Sequence, residues 1–190
     1  MVSTARPLGH PATRADLEAL PGNVKGEIID GVLYTQPRPR PRHARVAAAL
    51  GTALFGGFDS GAAGPGGWWI LLEPGIELPG APEVAPDIAG WRREHLPELP
   101  DEAISIRPDW VCEVLSPSNR AYDRAVKFPF YARVGVPFLW VVDPEARTLE
   151  VRRLAEGKWV ELSVHADAEV VAAEPFDAVS VELAQLWRMR

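Results

Sequence analysis

The chain has 190 residues, a formal net charge of −6, 47% apolar and 24% charged residues, and one cysteine. That is enough for one domain, read over residues 1–190, with a soluble composition. The single cysteine excludes an internal disulfide and a cysteine-rich zinc site, and the acidic balance argues against strong non-specific nucleic-acid binding, which needs Lys and Arg to neutralise phosphates.

No apolar stretch approaches the length of a membrane span, and the N-terminus lacks a signal-peptide core, so a cytoplasmic protein without membrane contact is expected. Residues 1–12 read as a flexible tail. Thr13 reads as the N-cap of a short helix ending at Pro21-Gly22. Glu27-Ile28-Ile29 and Val32-Leu33-Tyr34 flank Asp30-Gly31, a strong hairpin signal. A dense basic stretch follows, Arg38-Pro39-Arg40-Pro41-Arg42-His43-Ala44-Arg45. It is either an exposed loop or a phosphate-facing arm in which Arg40, Arg42, His43 and Arg45 would contact nucleic acid.

Arg42 to Phe55 has helical spacing, and Gly56 to Gly67 is a glycine-rich loop. Trp68 to Leu72, Ile76 to Leu78 and the region Val84 to Trp91 supply short strands, the last containing Pro86-Asp87. Trp110 to Leu115 and Phe138 to Val142 are the clearest core strands. Between them, Ala121 to Val134 reads as a helix stopped by Gly135, which Pro129 should kink or shorten. Thr148 to Leu154 and Lys158 to Val164 form a second hairpin, and Val181 to Arg190 reads as a terminal helix. The strand-helix-strand unit requires a parallel pair, whereas the hairpins are antiparallel. The fold class is therefore α/β or α+β, a mixed β-sheet flanked by helices with N-terminal and C-terminal β-hairpins.

Glu113 is the anomaly in this pattern, a carboxylate inside the apolar run Trp110-Val111-Cys112-Glu113-Val114-Leu115. Buried charges are rare unless paired or bound to a metal. Strand alternation puts Asp109, Val111, Glu113 and Leu115 on one face and Cys112 and Val114 on the other. Asp123, Lys127 and Tyr131 share a helix face. If the Asp87 strand neighbours the Glu113 strand, the two carboxylates could chelate one divalent cation, with Lys127 beside it. Each feature also has a plainer reading. Asp87 can be a turn residue, Asp123–Lys127 a solvated pair, Glu27 a surface residue, His43 a helix-start residue, and Cys112 and Tyr131 packing.

The block Glu113-Val114-Leu115-Ser116-Pro117-Ser118, Asp123, Lys127, Tyr131-Ala132, Gly135-Val136-Pro137 and Trp140-Val141-Val142-Asp143-Pro144 resembles the signature of the Uma family. These restriction endonuclease-like proteins are catalogued as a domain of unknown function within the PD-(D/E)XK nuclease superfamily. The upstream hairpin, His43 and Pro86-Asp87 fit the same order, from about Thr13 to Leu186.

The resemblance implies a restriction endonuclease-like core and hydrolysis of DNA with Mg²⁺, or Mn²⁺ as substitute. It implies Asp87 and Glu113 as metal ligands, joined by the Val114 carbonyl. Leu115 stands where the superfamily carries its lysine, and the resemblance makes Lys127 the relocated replacement. Glu27 would complete the catalytic set. Pro108-Asp109 is a second Pro-Asp pair that competes with Asp87 for the motif position. A homodimer could place two sites on two strands. The alternative is a catalytically silent nucleic-acid-binding or regulatory module on the same fold.

Overall fold

The computed structural model describes residues 4–189. Its centre is a six-stranded sheet built from β4 (Trp68–Leu72), β7 (Ile88–Arg92), β8 (Trp110–Val114), β9 (Phe138–Asp143), β10 (Thr148–Ala155) and β11 (Lys158–Ala166), in the order β11-β10-β9-β8-β7-β4. Only β8 and β9 run parallel, as the intervening helix requires. A second sheet has the order β1-β3-β2-β6-β5, from β1 (Thr4–Arg6), β2 (Val24–Ile29), β3 (Val32–Pro37), β5 (Ile76–Leu78) and β6 (Ala81–Val84). The helices are α1 (Arg14–Glu18), α2 (Pro41–Leu54), α3 (Arg120–Tyr122), α4 (Phe128–Arg133) and α5 (Leu183–Leu186), and β12 (Val170–Val171) pairs with β13 (Val181–Glu182).

The middle strands of the central sheet, β7, β8 and β9, are buried on both faces, whereas the edge strand β11 has no buried residue. Trp110, Cys112 and Val114 of β8 turn towards α2, α5 and Phe176. Val111 and Leu115 turn the other way, against α4 and the smaller sheet. The strand alternation read from sequence therefore holds, and Cys112 packs as an apolar residue whose thiol burial pushes well up. Trp68 is buried in one core cluster, while Trp69, on the opposite face of β4, is half-buried against the other and donates its indole N–H to the Leu96 carbonyl, so neither belongs to an open apolar face.

Both hairpins turn where expected. Asp30 and Gly31 take φ of 53° and 74°, and Glu156 and Gly157 take 50° and 73°, as tight two-residue turns between twisted strands require.

Three expectations need correction. Residues 4–6 of the expected tail form β1, because Thr4, Ala5 and Arg6 find the open edge of β3; residues 1–3 lie outside the described residues. The terminal helix begins only at Leu183, since Val181 and Glu182 pair with β12, and Arg190 lies outside the described residues. Pro129 does not break its helix. A π-helical turn over Asp123–Lys127 precedes it, in which the Phe128 N–H reaches back to the Asp123 carbonyl. The wider turn absorbs the missing N–H of Pro129, and the helical path runs unbroken from Arg120 to Arg133. No helix among the described residues is long and apolar enough to cross a membrane.

The turn between β9 and β10 hangs on Asp143. Its Oδ1 accepts the backbone N–H groups of Glu145 (3.0 Å) and Ala146 (3.2 Å), and its Oδ2 accepts from Arg120 at 2.6 Å. Burial alone would raise this carboxyl, but the Arg120 hydrogen bond and the two N–H donors hold it below its usual value. A lowered folded-state value stabilises the protein above the unfolded aspartate value and loses that effect as pH falls through the folded one. Asp143→Asn is therefore expected to lower stability by about 2 kcal/mol at neutral pH. In urea denaturation measured across pH, that gap should close below about pH 4.

Candidate active site

The site lies where the two sheets and the helical segment meet. The antiparallel ladder of β7 and β8 pairs Ile88 with Cys112, so one residue further Asp87 comes opposite Glu113. Residues paired in this way project to the same face. Asp87 is anchored by the Val114 N–H, which donates to its Oδ2 at 2.7 Å, and by His43 Nε2 on α2 at 3.0 Å. The Val114 carbonyl accepts from Asn119 Nδ2 at 3.3 Å and retains a second lone pair.

Lys127 reaches this cluster from the π-helical turn. Its Nζ lies 2.7 Å from Glu113 Oε1, 3.3 Å from Glu27 Oε1 and 3.0 Å from the Ala85 carbonyl. Three acceptors take the three N–H bonds of the ammonium. Glu27, on β2, also accepts the Ala85 N–H (2.8 Å), the Tyr122 hydroxyl (2.8 Å) and Gln36 (3.3 Å). Tyr131 donates its hydroxyl to Glu113 Oε1 at 2.7 Å. Glu27, Glu113 and Lys127 are all at most 2% exposed.

Four carboxyls, Glu27, Asp87, Glu113 and Asp123, are thus buried around one lysine and one histidine. Burial raises Glu113 to about 7, with Lys127 opposing and the Asp87 and Glu27 charges adding to the rise. Burial, then the Glu113 charge, lifts Asp123 well above the carboxylate range. Burial would pull Lys127 down, but Glu113 and Glu27 hold it well above its usual value and therefore charged. Burial would likewise lower His43, yet the hydrogen bond and charge of Asp87 keep it raised. In the other direction, His43 and Lys127 overcome the burial of Asp87 and keep it lowered and ionised.

A cavity of about 110 Å³ opens onto these groups. Asp87, Glu113, Asp123 and Lys127 line it, with Arg38 and Arg40 at its rim. Asp87 Oδ1 and Glu113 Oε2 carry no hydrogen bond among the described residues, and the buried Asp123 Oδ2 has no partner. A buried oxygen without a partner, as at Asp123, calls for an ion, a water or a ligand. The donors are all oxygen, and the carboxyls outnumber the cations. That chemistry suits a hard cation such as Mg²⁺, which uses one or two carboxylates and keeps several waters. Among the described residues no group of three or more His, Cys, Asp or Glu side chains is arranged to hold a metal.

Asp87, Glu113, Lys127, Glu27 and Val114 therefore meet at one point. Asp109 does not. It accepts the Arg92 N–H and bonds His95 Nδ1 (each 2.8 Å), four residues back along β8 from Glu113, or about 13 Å at the rise of a strand. The basic stretch is divided. Arg40 and His43 line the cavity, whereas Arg42 and Arg45 line separate surface depressions beside the C-terminal turn. His43 is not an exposed phosphate contact, because its side chain is 8% exposed and faces Asp87. In the sequence Tyr131 reads as packing and Tyr122 carries no mark of a role. The regular spacing of Asp123, Lys127 and Tyr131 was the signal for one of them, while nothing local marks Tyr122.

A mixed sheet carrying such a carboxylate and lysine cluster is a restriction endonuclease-like fold. The structure superposes on that of a putative nuclease belonging to DUF820 from Anabaena variabilis ATCC 29413, with a TM-score of 0.71 and 20% identity, over 93% of this chain and 98% of that one. Residues 14–184 match the model of the Uma2 family, described as "Putative restriction endonuclease", and the chain belongs to that family. No curated protein matches the chain.

Breaking one side of a buried ion cluster leaves its partners uncompensated. Lys127→Met is expected to cost about 3–5 kcal/mol of stability. Adding Glu113→Gln should recover a large part of that loss, since Glu27 keeps three other donors. A double-mutant cycle in urea measures the coupling.

Proposed function

We infer that this protein is a divalent-metal-dependent nuclease that hydrolyses phosphodiester bonds in DNA. The observation that carries the reading is the pair Asp87 and Glu113, each with an oxygen uncommitted, opening into a cavity beside a buried lysine. Membership of a family described as restriction endonucleases supports the substrate class. Asp87, Glu113 and the Val114 carbonyl would hold Mg²⁺ or, as substitute, Mn²⁺. When bound, the metal would lower the pKa of a water and neutralise charge developing on the phosphoryl oxygens.

The chain's own residues prepare that site. His43 and the Val114 N–H orient Asp87 through one oxygen and leave the other free. Tyr131 and Lys127 do the same for Glu113. Lys127 stands in this reading for the lysine that Leu115 displaces. With its three N–H bonds already taken, it acts through its fixed positive charge and through the orientation of Glu113, rather than as a mobile proton carrier. Glu27 holds the ammonium from the other side. Water supplies the oxygen that bonds to phosphorus and gives up one proton to solvent, the phosphorus–oxygen bond to the leaving strand breaks, and the leaving oxygen takes a proton from solvent.

One observation favours a second reading, a catalytically silent nucleic-acid-binding or regulatory module: no Lys127 donor remains for a substrate. Plasmid cleavage separates the two. Wild type with Mg²⁺ or Mn²⁺ should nick or linearise DNA, and Asp87→Asn and Glu113→Gln should each lower the rate by about 100-fold or more while remaining folded. A wild type that binds DNA without cutting it, or variants that cut at the wild-type rate, would overturn the nuclease reading.

A further inference from the structure

The arginines that do not face the cavity form a cluster of their own. Arg42 from α2, Arg147 from the turn between β9 and β10, and Arg188 after α5 line one surface depression with Trp187. Arg45 and Arg188 line the adjoining one with Gln185. These residues come from three distant segments, so their convergence belongs to the fold and not to the local sequence. All four arginines are exposed.

Their lack of carboxylate partners sets them apart from the ion-paired arginines of the surface. Arg124, Arg133 and Arg153 are each held by a carboxylate, from Glu150, Asp30 and Glu174 respectively. Arg42, Arg147 and Arg188 make no ion pair among the described residues, and Arg188 donates only to the neutral Gln185 amide. Asp167 borders the cluster, but among the described residues it bonds there through its backbone, from its own N–H to the Arg147 carbonyl and from Trp187 Nε1 to its carbonyl. Uncompensated positive charge is thus gathered in one place on a protein whose net charge is −6. Such a concentration attracts a polyanion.

The position of the cluster suggests which one. Arg40 is the N-cap of α2 and lines the cavity, while Arg42 and Arg45 project from other flanks of the same helix. The width of a helix with its side chains, about 10–12 Å, matches the axial rise of about three base pairs at 3.4 Å each. A duplex with one phosphate at the cavity mouth would present another to the cluster. We propose that Arg42, Arg147 and Arg188 form a second anion site that grips the phosphodiester backbone of duplex DNA, on the flank of α2 away from the cavity. The inference rests on the nuclease reading for the identity of the polyanion.

The test uses the full chain, a labelled DNA duplex of about 20 base pairs and EDTA, with affinity read by fluorescence anisotropy at several salt concentrations. The variant is Arg42→Gln, Arg147→Asn and Arg188→Gln together; asparagine tolerates the positive φ (55°) at position 147. The control is Arg124→Gln, Arg133→Gln and Arg153→Gln, which removes the same charge elsewhere. The cluster variant should bind at least about tenfold more weakly, with a log–log salt slope shallower by about 2–3, the value for three lost phosphate contacts. The control should keep both within about twofold. Thermal unfolding midpoints within about 3 °C of wild type establish that both variants are folded. Unchanged affinity in the cluster variant, or an equal loss in the control, would overturn the proposal. Cleavage by wild type combined with unchanged affinity in the variant would sink this inference alone. Lost affinity in the variant combined with an inert wild type would sink the nuclease reading alone.

Discussion

A single ammonium group joins the parts of this molecule. Lys127 ties Glu113 of the central sheet to Glu27 of the smaller sheet and to the Ala85 carbonyl in the segment between them. Taking a lysine out of water costs several kcal/mol, and only close opposite charges and complete hydrogen bonding offset it. Both conditions are met. The acceptors come from chain segments far apart in sequence, so the ion cluster forms only when sheets, helix and connecting loop are all in place.

The same arrangement leaves a surplus. Four buried carboxyls surround one lysine and one histidine, and the imbalance shows in the opposed behaviour of neighbours. Asp87, next to His43 and the Val114 N–H, stays ionised, whereas Glu113 and Asp123 are driven towards their protonated forms. Without an added positive charge the site holds protons in its place. The protein accepts an electrostatic cost at the cavity and is compensated by the doubly buried strands β7, β8 and β9, whose tryptophans Trp91, Trp110 and Trp140 are almost fully enclosed.

The π-helical turn over Asp123–Lys127 connects this chemistry to backbone geometry. A proline two residues beyond the lysine would ordinarily interrupt the helix. Widening the turn by one residue lets the helix continue, and Lys127 and Tyr131 both end on Glu113. Single π-turns of this kind recur at functional sites because they redirect side chains without breaking an element. The helix that sequence reading expected to be kinked or shortened keeps its path, and the irregularity sits at the residues of the candidate site.

Much of this was legible in the sequence because the signals were local. The turns at Asp30-Gly31 and Glu156-Gly157 need positive φ, the apolar runs of β8 and β9 can only be buried strands, and Glu113 is conspicuous within one of them. The fold class and the gathering of Asp87, Glu113 and Lys127 follow from such signals and from the family pattern they compose. Other features depend on partners far along the chain. Glu27 looks like a surface residue and nothing local marks Tyr122 until residues 95 positions apart are brought within hydrogen-bond distance. The contest between Asp87 and Asp109 turns on which end of β8 faces the cavity, and the basic stretch around α2 divides because helical rotation sends adjacent arginines to different flanks. Periodicity along a chain determines which elements form and which of their faces are apolar; only packing decides which buried charges meet, because pairing energies depend on distances that no local pattern contains.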